Sequence, residues 1–255
     1  MRHEFIDHHS GLHSLIHHLD PRAKIVVFFS FILIGVSTPP HAFLIFACLA
    51  VGLLGMTLVA RLPVFHLIKK LLVILPFLLV VTASIPFMKK DTVAGGYNLG
   101  LGGLSLSRSG LWIFWNVLVK SCLGVFSIIL LYSTTPFPSL VKGLERLGVP
   151  SVFTVLLSFM YRYLFLLIDE IHRMKRARDS RSFGGRWFWQ LKTIGHMIGT
   201  LFLRSFHRAE RVYLAMLSRG YQGVMPGVSP GRFGKGEYLF LSIVPVLLFV
   251  RIFFG

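Results

Sequence analysis

Between Gly110 and Ser133 the chain reads "GLWIFWNVLVKSCLGVFSIILLYS", a run with a single charge, Lys120. A helix over such a run rises about 36 Å, enough to cross a hydrocarbon core of about 30 Å. In lipid, backbone polar groups must pair within the segment, so the run is expected to be a helix. Four further runs also read as spans, 21–38, 41–60, 67–88 and 237–255, though the first rises only about 27 Å and barely spans. The first follows "LDP", with Asp20 as the expected N-cap, Pro21 in the first turn and Leu19 placed as a staple. It ends at Thr38, before Pro39-Pro40, and Pro76 is expected to kink the third run. Trp112 and Trp115 belong at one membrane interface. Lys120 is costly in lipid and should face the protein interior or snorkel.

Composition says what surrounds these runs. The chain is 54% hydrophobic and 15% charged, yet carries 27 Lys+Arg against 10 Asp+Glu, a net charge of +17. A basic pI suggests nucleic-acid binding, but the apolar runs are too long for a soluble core. A membrane protein with a basic cytoplasmic surface accounts for both properties. Cys48 and Cys122 lie inside apolar runs and read as small packing residues. The polar start "MRHEFIDHHS" lacks a signal-peptide core.

Orientation follows from the basic residues. Residues 134–236 hold 16 of the 27 Lys and Arg against five acids, which places that block in the cytoplasm. The N-terminus and the 61–70 loop then lie inside, and 89–109 forms an extracytoplasmic loop. The expected fold is an all-α, multi-pass integral membrane protein of about five transmembrane helices. Amphipathic cytoplasmic helices separate the fourth span from the fifth. Its parts are 1–133, 134–236 and 237–255.

Within the basic block, "TTPFPSLVKGLERLGVP" predicts a short helix. Thr135 is its expected cap, Pro136 its first-turn residue, and Leu140, Leu144 and Leu147 its apolar stripe. Residues 151–181 predict one long helix, apolar at first and basic later, lying in the membrane interface, with a sixth span as the rival reading. About 188–219 predicts another, with Leu191, Ile194, Ile198, Leu201 and Leu203 among Lys192, Arg204, Arg208 and Arg211.

Each long helix ends in one copy of a shared frame. "ARDSRSFGG" (177–185) and "AMLSRGYQG" (215–223) have in common Ala, two free positions, Ser-Arg, a small residue, an aromatic, one free position and Gly. Gly past a last turn stops a helix, and a cation there suits the helix dipole. The dipole explains a charge but not the shared Ala, aromatic and Gly. Matched arginines at two helix ends point to docking on a partner.

No nucleotide-binding signature accompanies them. The Gly-rich stretch "AGGYNLGLGGLSLSRSG" follows no predicted strand. Gly234-Lys235 has Ser229 and Gly236 where a phosphate loop needs Gly and Ser/Thr. The histidines at 3, 8, 9, 13, 17 and 18 could meet a divalent metal, but their spacing fits no closed site. A secondary transporter or channel would need ionisable residues in the spans, and Lys120 is the main candidate.

The whole chain resembles the transmembrane (T) component of energy-coupling-factor transporters, the cobalt/nickel branch in particular. "LHSLIHHLDPRAKI", "LGLGGLSLSRSGL", "MYRYLFLLIDEIHRMKRARDSR" and above all "RSFHRAERVYLAMLSRGYQG" carry the likeness. The resemblance implies a non-catalytic scaffold without cofactors in the plasma membrane of a prokaryote. Its cytoplasmic coupling helices end in two X-Arg-X motifs that seat in two ATPase subunits, and a separate membrane subunit binds the substrate. Those motifs fall on Ser180-Arg181-Ser182 and Ser218-Arg219-Gly220. The first departs from the commoner Ala-Arg-Gly, which makes Arg178 a secondary candidate, though the aligned frame favours Arg181.

Overall fold

The computed structural model describes residues 19–60, 62–84, 97–98, 105–106, 108–181, 187–223 and 234–254. The histidine cluster, the loop segments 85–96 and 99–104, and Ser182 lie outside the described residues. In chain order the helices are α1 (Pro21–Ser37), α2 (Phe43–Val59), α3 (Val64–Ala83), α4 (Arg108–Thr134) and α5 (Phe137–Arg146). They continue with α6 (Ser151–Asp179), α7 (Trp187–Leu217), α8 (Lys235–Leu241) and α9 (Ile243–Phe254). A two-residue antiparallel ladder pairs β1 (Tyr97–Asn98) with β2 (Ser105–Leu106) ahead of α4. The described fold is thus helical, as expected of a membrane protein.

Among the described residues, three helical stretches are long and apolar enough to cross a membrane: Gly110–Thr134, Ser151–Asp179 and Gly236–Phe253. Phe43–Val59 is a shorter apolar helix. The span expected over 237–255 is found at Gly236–Phe253, with a one-residue turn at Ser242 between α8 and α9. Pro245 is the physical reason. It has no N–H for the Leu241 carbonyl, and its ring crowds that carbonyl. The Ser242 hydroxyl instead donates to the Leu239 carbonyl at 2.7 Å.

The described residues divide into two compact units, one within Phe5–Gly143 and Gly231–Gly255, the other within Leu144–Pro230. The core of the first is built around α1. Ala23, Val27, Phe31 and Ile34 fall on one face at helical spacing, and Ile45, Leu49, Leu53 and Met56 repeat that spacing on α2. Ile129 and Leu130 of α4 and Phe240 and Leu247 of α8 and α9 complete it, with Phe28 edge-on to Phe240. The start of α1 is as expected: Pro21 opens the helix, and the Asp20 carboxylate accepts from the Arg22 N–H at 3.0 Å.

Polar side chains in this unit close helix ends. Lys24, only 1% exposed, donates to the Thr134 carbonyl at the carboxyl end of α4. Lys120 of α4 returns the arrangement, donating to the Val36 and Thr38 carbonyls at the carboxyl end of α1, at 2.9 and 2.7 Å. Arg251 of α9 adds bonds to the Ser37 carbonyl and hydroxyl, and Asn116 donates to the Pro40 carbonyl. Helix carboxyl ends carry orphan carbonyls and partial negative charge, so cations are favoured there. The antiparallel α1 and α4 therefore cap each other with one lysine apiece.

The short α5 departs from expectation in two ways. Pro136, not Thr135, occupies the cap position, since its carbonyl accepts from the Ser139 and Leu140 N–H groups. Thr135 is buried instead, its hydroxyl beside that of Thr134. The buried face carries Val141 and Gly143 rather than the Leu140, Leu144 and Leu147 stripe. A Cβ at Gly143 would stand 2.9 Å from the Ile25 side chain and 3.0 Å from that of Pro21. Close approach to α1, more than side-chain size, selects this face.

Candidate functional site

The second unit holds two long helices with little core. Thr154 is the one buried residue of α6, and α7 has none. Helices of this length draw most of their stability from packing an apolar face, so these faces are built to be covered. Between them runs a cleft of about 940 Å³, lined by Tyr163, Leu166 and Leu167 of α6 and Leu201, Phe202 and Phe206 of α7. At the cleft, Glu170 of α6 pairs with Arg204 of α7. Sequence reasoning missed this pair and the cleft, because nothing local fixes which faces of α6 and α7 meet.

The two frame copies fold alike as far as both are described. In the first, the Ser180 N–H donates to the Arg176 carbonyl at 3.0 Å and the Arg181 N–H to the Arg178 carbonyl at 3.0 Å. In the second, the Ser218 N–H donates to the Leu214 carbonyl at 3.0 Å and the Arg219 N–H to the Met216 carbonyl at 3.1 Å. The serine hydroxyls match too: Ser180 donates to the Ala177 carbonyl at 3.1 Å, and Ser218 to the Ala215 carbonyl at 3.0 Å. The Ala-x-x-Ser part of the frame therefore records a repeated local bond, which ties off a carbonyl in the last turn.

Beyond Arg219 the helix stops as its glycine predicts. Gly220 has φ +80, its N–H donates to the Leu217 carbonyl, and the Tyr221 N–H reaches the Met216 carbonyl. That is a Schellman closure, with Arg219 as the cap residue. The α5 terminus closes the same way at Gly148, φ +99. In the first copy the residues after Arg181 lie outside the described set, so Ser182 is unplaced.

Arg181 and Arg219 are exposed, and neither guanidinium binds another side chain among the described residues. Arg178 differs. It is half-buried, and its guanidinium holds the Asp179 carboxylate at 2.7 and 3.0 Å. An arginine already paired has fewer donors to offer a partner.

Two other sequence candidates take structural roles or stay unplaced. The Lys120 ammonium is engaged by two main-chain carbonyls, which accounts for a cation in a span without a transported substrate. Among the described residues no group of three or more His, Cys, Asp or Glu side chains could hold a metal ion.

Comparison with known proteins places the chain. The family model described as "CbiQ: Cobalt transport protein" matches residues 13–228. The chain belongs to the CbiQ family.

That match takes in both frame copies and every helix from α1 to α7. CbiQ relatives include the energy-coupling factor transporter transmembrane protein EcfT of Listeria innocua, 29% identical over 222 residues, covering 82% of each chain. The EcfT of Staphylococcus aureus is 28% identical over 224 residues, covering 82% of this chain and 81% of its own. A fused cobalt transport protein, CbiMQ, of Methanocorpusculum labreanum is 28% identical over 165 residues. That alignment takes in 65% of this chain but only 27% of the fused protein, so the chain spans about a quarter of that relative. The resemblance to transmembrane components of energy-coupling factor transporters holds.

Proposed function

We propose that this chain is the non-catalytic, energy-coupling scaffold of an ATP-driven importer for cobalt or nickel ions. Two ATPase subunits dock on Ser180-Arg181-Ser182 and Ser218-Arg219-Gly220. A substrate-binding membrane subunit lies on the apolar faces of α6 and α7. The scaffold sits in the prokaryotic plasma membrane with its N-terminus in the cytoplasm, five spans, and α6 and α7 on the cytoplasmic side.

One observation carries the reading. Two helix ends 38 residues apart in sequence repeat the same backbone and hydroxyl bonds, and each carries an exposed arginine with no side-chain partner among the described residues. A guanidinium gives up to five directed hydrogen bonds, so it can transmit force with orientation as well as charge. Two matched plugs suit two matched sockets. When paired ATPases close on nucleotide, the ends of α6 and α7 move with them, and the Glu170–Arg204 contact keeps the helices in register. Their uncovered apolar faces pass that motion to whatever they hold in the membrane. Hydrolysis resides in the partners.

The test is radiocobalt uptake into proteoliposomes holding the scaffold, its ATPases and its substrate-binding subunit. Wild-type scaffold should give ATP-dependent uptake, and Arg181→Glu/Arg219→Glu should abolish it while inserting normally into the membrane. Undiminished uptake by that variant would refute the docking assignment.

A further inference from the structure

The start of α7 does not fit a surface made for protein docking alone. Trp187, Phe188 and Trp189 are 69%, 78% and 66% exposed, and they are adjacent in sequence. Successive helical residues project about 100° apart, so these three side chains leave the helix over about 200° of its circumference, with the Trp187 and Phe188 rings packed edge to face at 5.7 Å. A protein groove buries one stripe of a helix, typically little more than about 100° wide. A medium that surrounds the turn buries all three at once.

Their neighbours favour the membrane interface as that medium. Lys192 holds its ammonium 5.7 Å from the centroid of the Trp189 ring, and Arg186 directly precedes the turn in sequence. Indoles with adjacent cations match the boundary between acyl chains and anionic headgroups. An exposed apolar stripe continues from the triplet along Leu191, Ile194, Ile198 and Phe202. Away from it, the Thr193 and Thr200 hydroxyls donate back to the Trp189 and His196 carbonyls, both at 2.9 Å. Those hydroxyls need no further acceptor from water, which lowers the cost of leaving it. An amphipathic helix with aromatic and basic residues at one end is suited to lie in a lipid interface.

We propose that the first turn of α7 is a lipid anchor. Trp187, Phe188 and Trp189 insert at the headgroup–acyl boundary of an anionic bilayer, and Lys192 sits at the phosphates. The anchor does not depend on the arginine docking ends. It gives α7 a fixed point at its amino end, so that a pull on Arg219 at the other end tilts the helix rather than dragging it whole.

The full chain with Trp112→Phe and Trp115→Phe keeps Trp187 and Trp189 as its only tryptophans. It is reconstituted in nanodiscs of phosphatidylcholine and phosphatidylglycerol, alone and with its partner subunits. Lipids brominated high on the acyl chain should quench the emission about twofold or more in both preparations, with little quenching by aqueous acrylamide. Replacing phosphatidylglycerol by phosphatidylcholine should weaken the lipid quenching. Free access of acrylamide would overturn the proposal. So would protection from both quenchers seen only with partner subunits, which would make the turn a protein interface. Should the double variant fail to fold, a nitroxide at Phe188→Cys in a Cys48→Ala/Cys122→Ala chain reads the same depth. Greater exposure to oxygen than to a water-soluble nickel chelate supports the anchor, and the reverse overturns it.

Discussion

Lys120 shows how one residue is read differently with neighbours in view. Alone in an apolar run it invites a transport role, yet its ammonium is spent on two carbonyls that end α1. Lys120→Met should therefore cost stability, about 1–3 kcal/mol for orphaning the carbonyl of buried Thr38, seen as a lower unfolding midpoint in detergent. Lys120→Arg, which keeps donors in place, should recover most of it. A transport role would instead lower uptake by Lys120→Met with the midpoint unchanged. At Gly220, φ +80 disfavours any side chain. Gly220→Ala should cost about 1 kcal/mol at the helix end. Displacing Arg219 from its cap position, it should weaken ATPase binding more than Ser218→Ala, which removes one hydroxyl bond. Titrating labelled ATPase against the three chains orders them.

At the scale of helices, Gly143 and the Glu170–Arg204 pair make opposite kinds of contact. Gly143 exists so that α5 can lie against Pro21 and Ile25, and Gly143→Val should cost about 1–3 kcal/mol through overpacking. Thermal unfolding of the purified chain measures that. The ion pair is partly open to solvent, so a double-mutant cycle of Glu170→Gln and Arg204→Met should give a coupling of only about 0.2–1 kcal/mol. Its weight lies in the register of α6 against α7. Much of this level was legible in the sequence where a local rule applied: Asp20-Pro21 opened α1, and Gly220 closed the turn beyond α7. The rest depended on distance. Lys24 meets a carbonyl 110 residues away, and no local pattern announces such a partner. On α5, too, burial at Val141 and Gly143 was set by the close approach of α1 rather than by leucine periodicity. The turn at Ser242 was written in Pro245, inside a run that still reads as one span.

For the whole molecule, the repeated arginine frame was readable as a repeat, and its meaning depended on what surrounds it. The sequence offered two matched cations; the folded chain adds matched hydroxyl bonds and two long helices with almost nothing buried. Such helices call for partners, which a scaffold between ATPases and a membrane subunit would have. The proposed sidedness predicts that Glu170→Cys and Gln222→Cys react with an impermeant thiol reagent in inside-out vesicles and not in right-side-out ones. Labelling from opposite faces would make α6 a span. The most direct measurement of the central claim is native mass spectrometry of the scaffold released from nanodiscs with its ATPases. Wild-type scaffold should carry two ATPase subunits, and Arg181→Glu/Arg219→Glu should carry none. A double variant that still carries two would contradict the assignment of Arg181 and Arg219 as the docking ends.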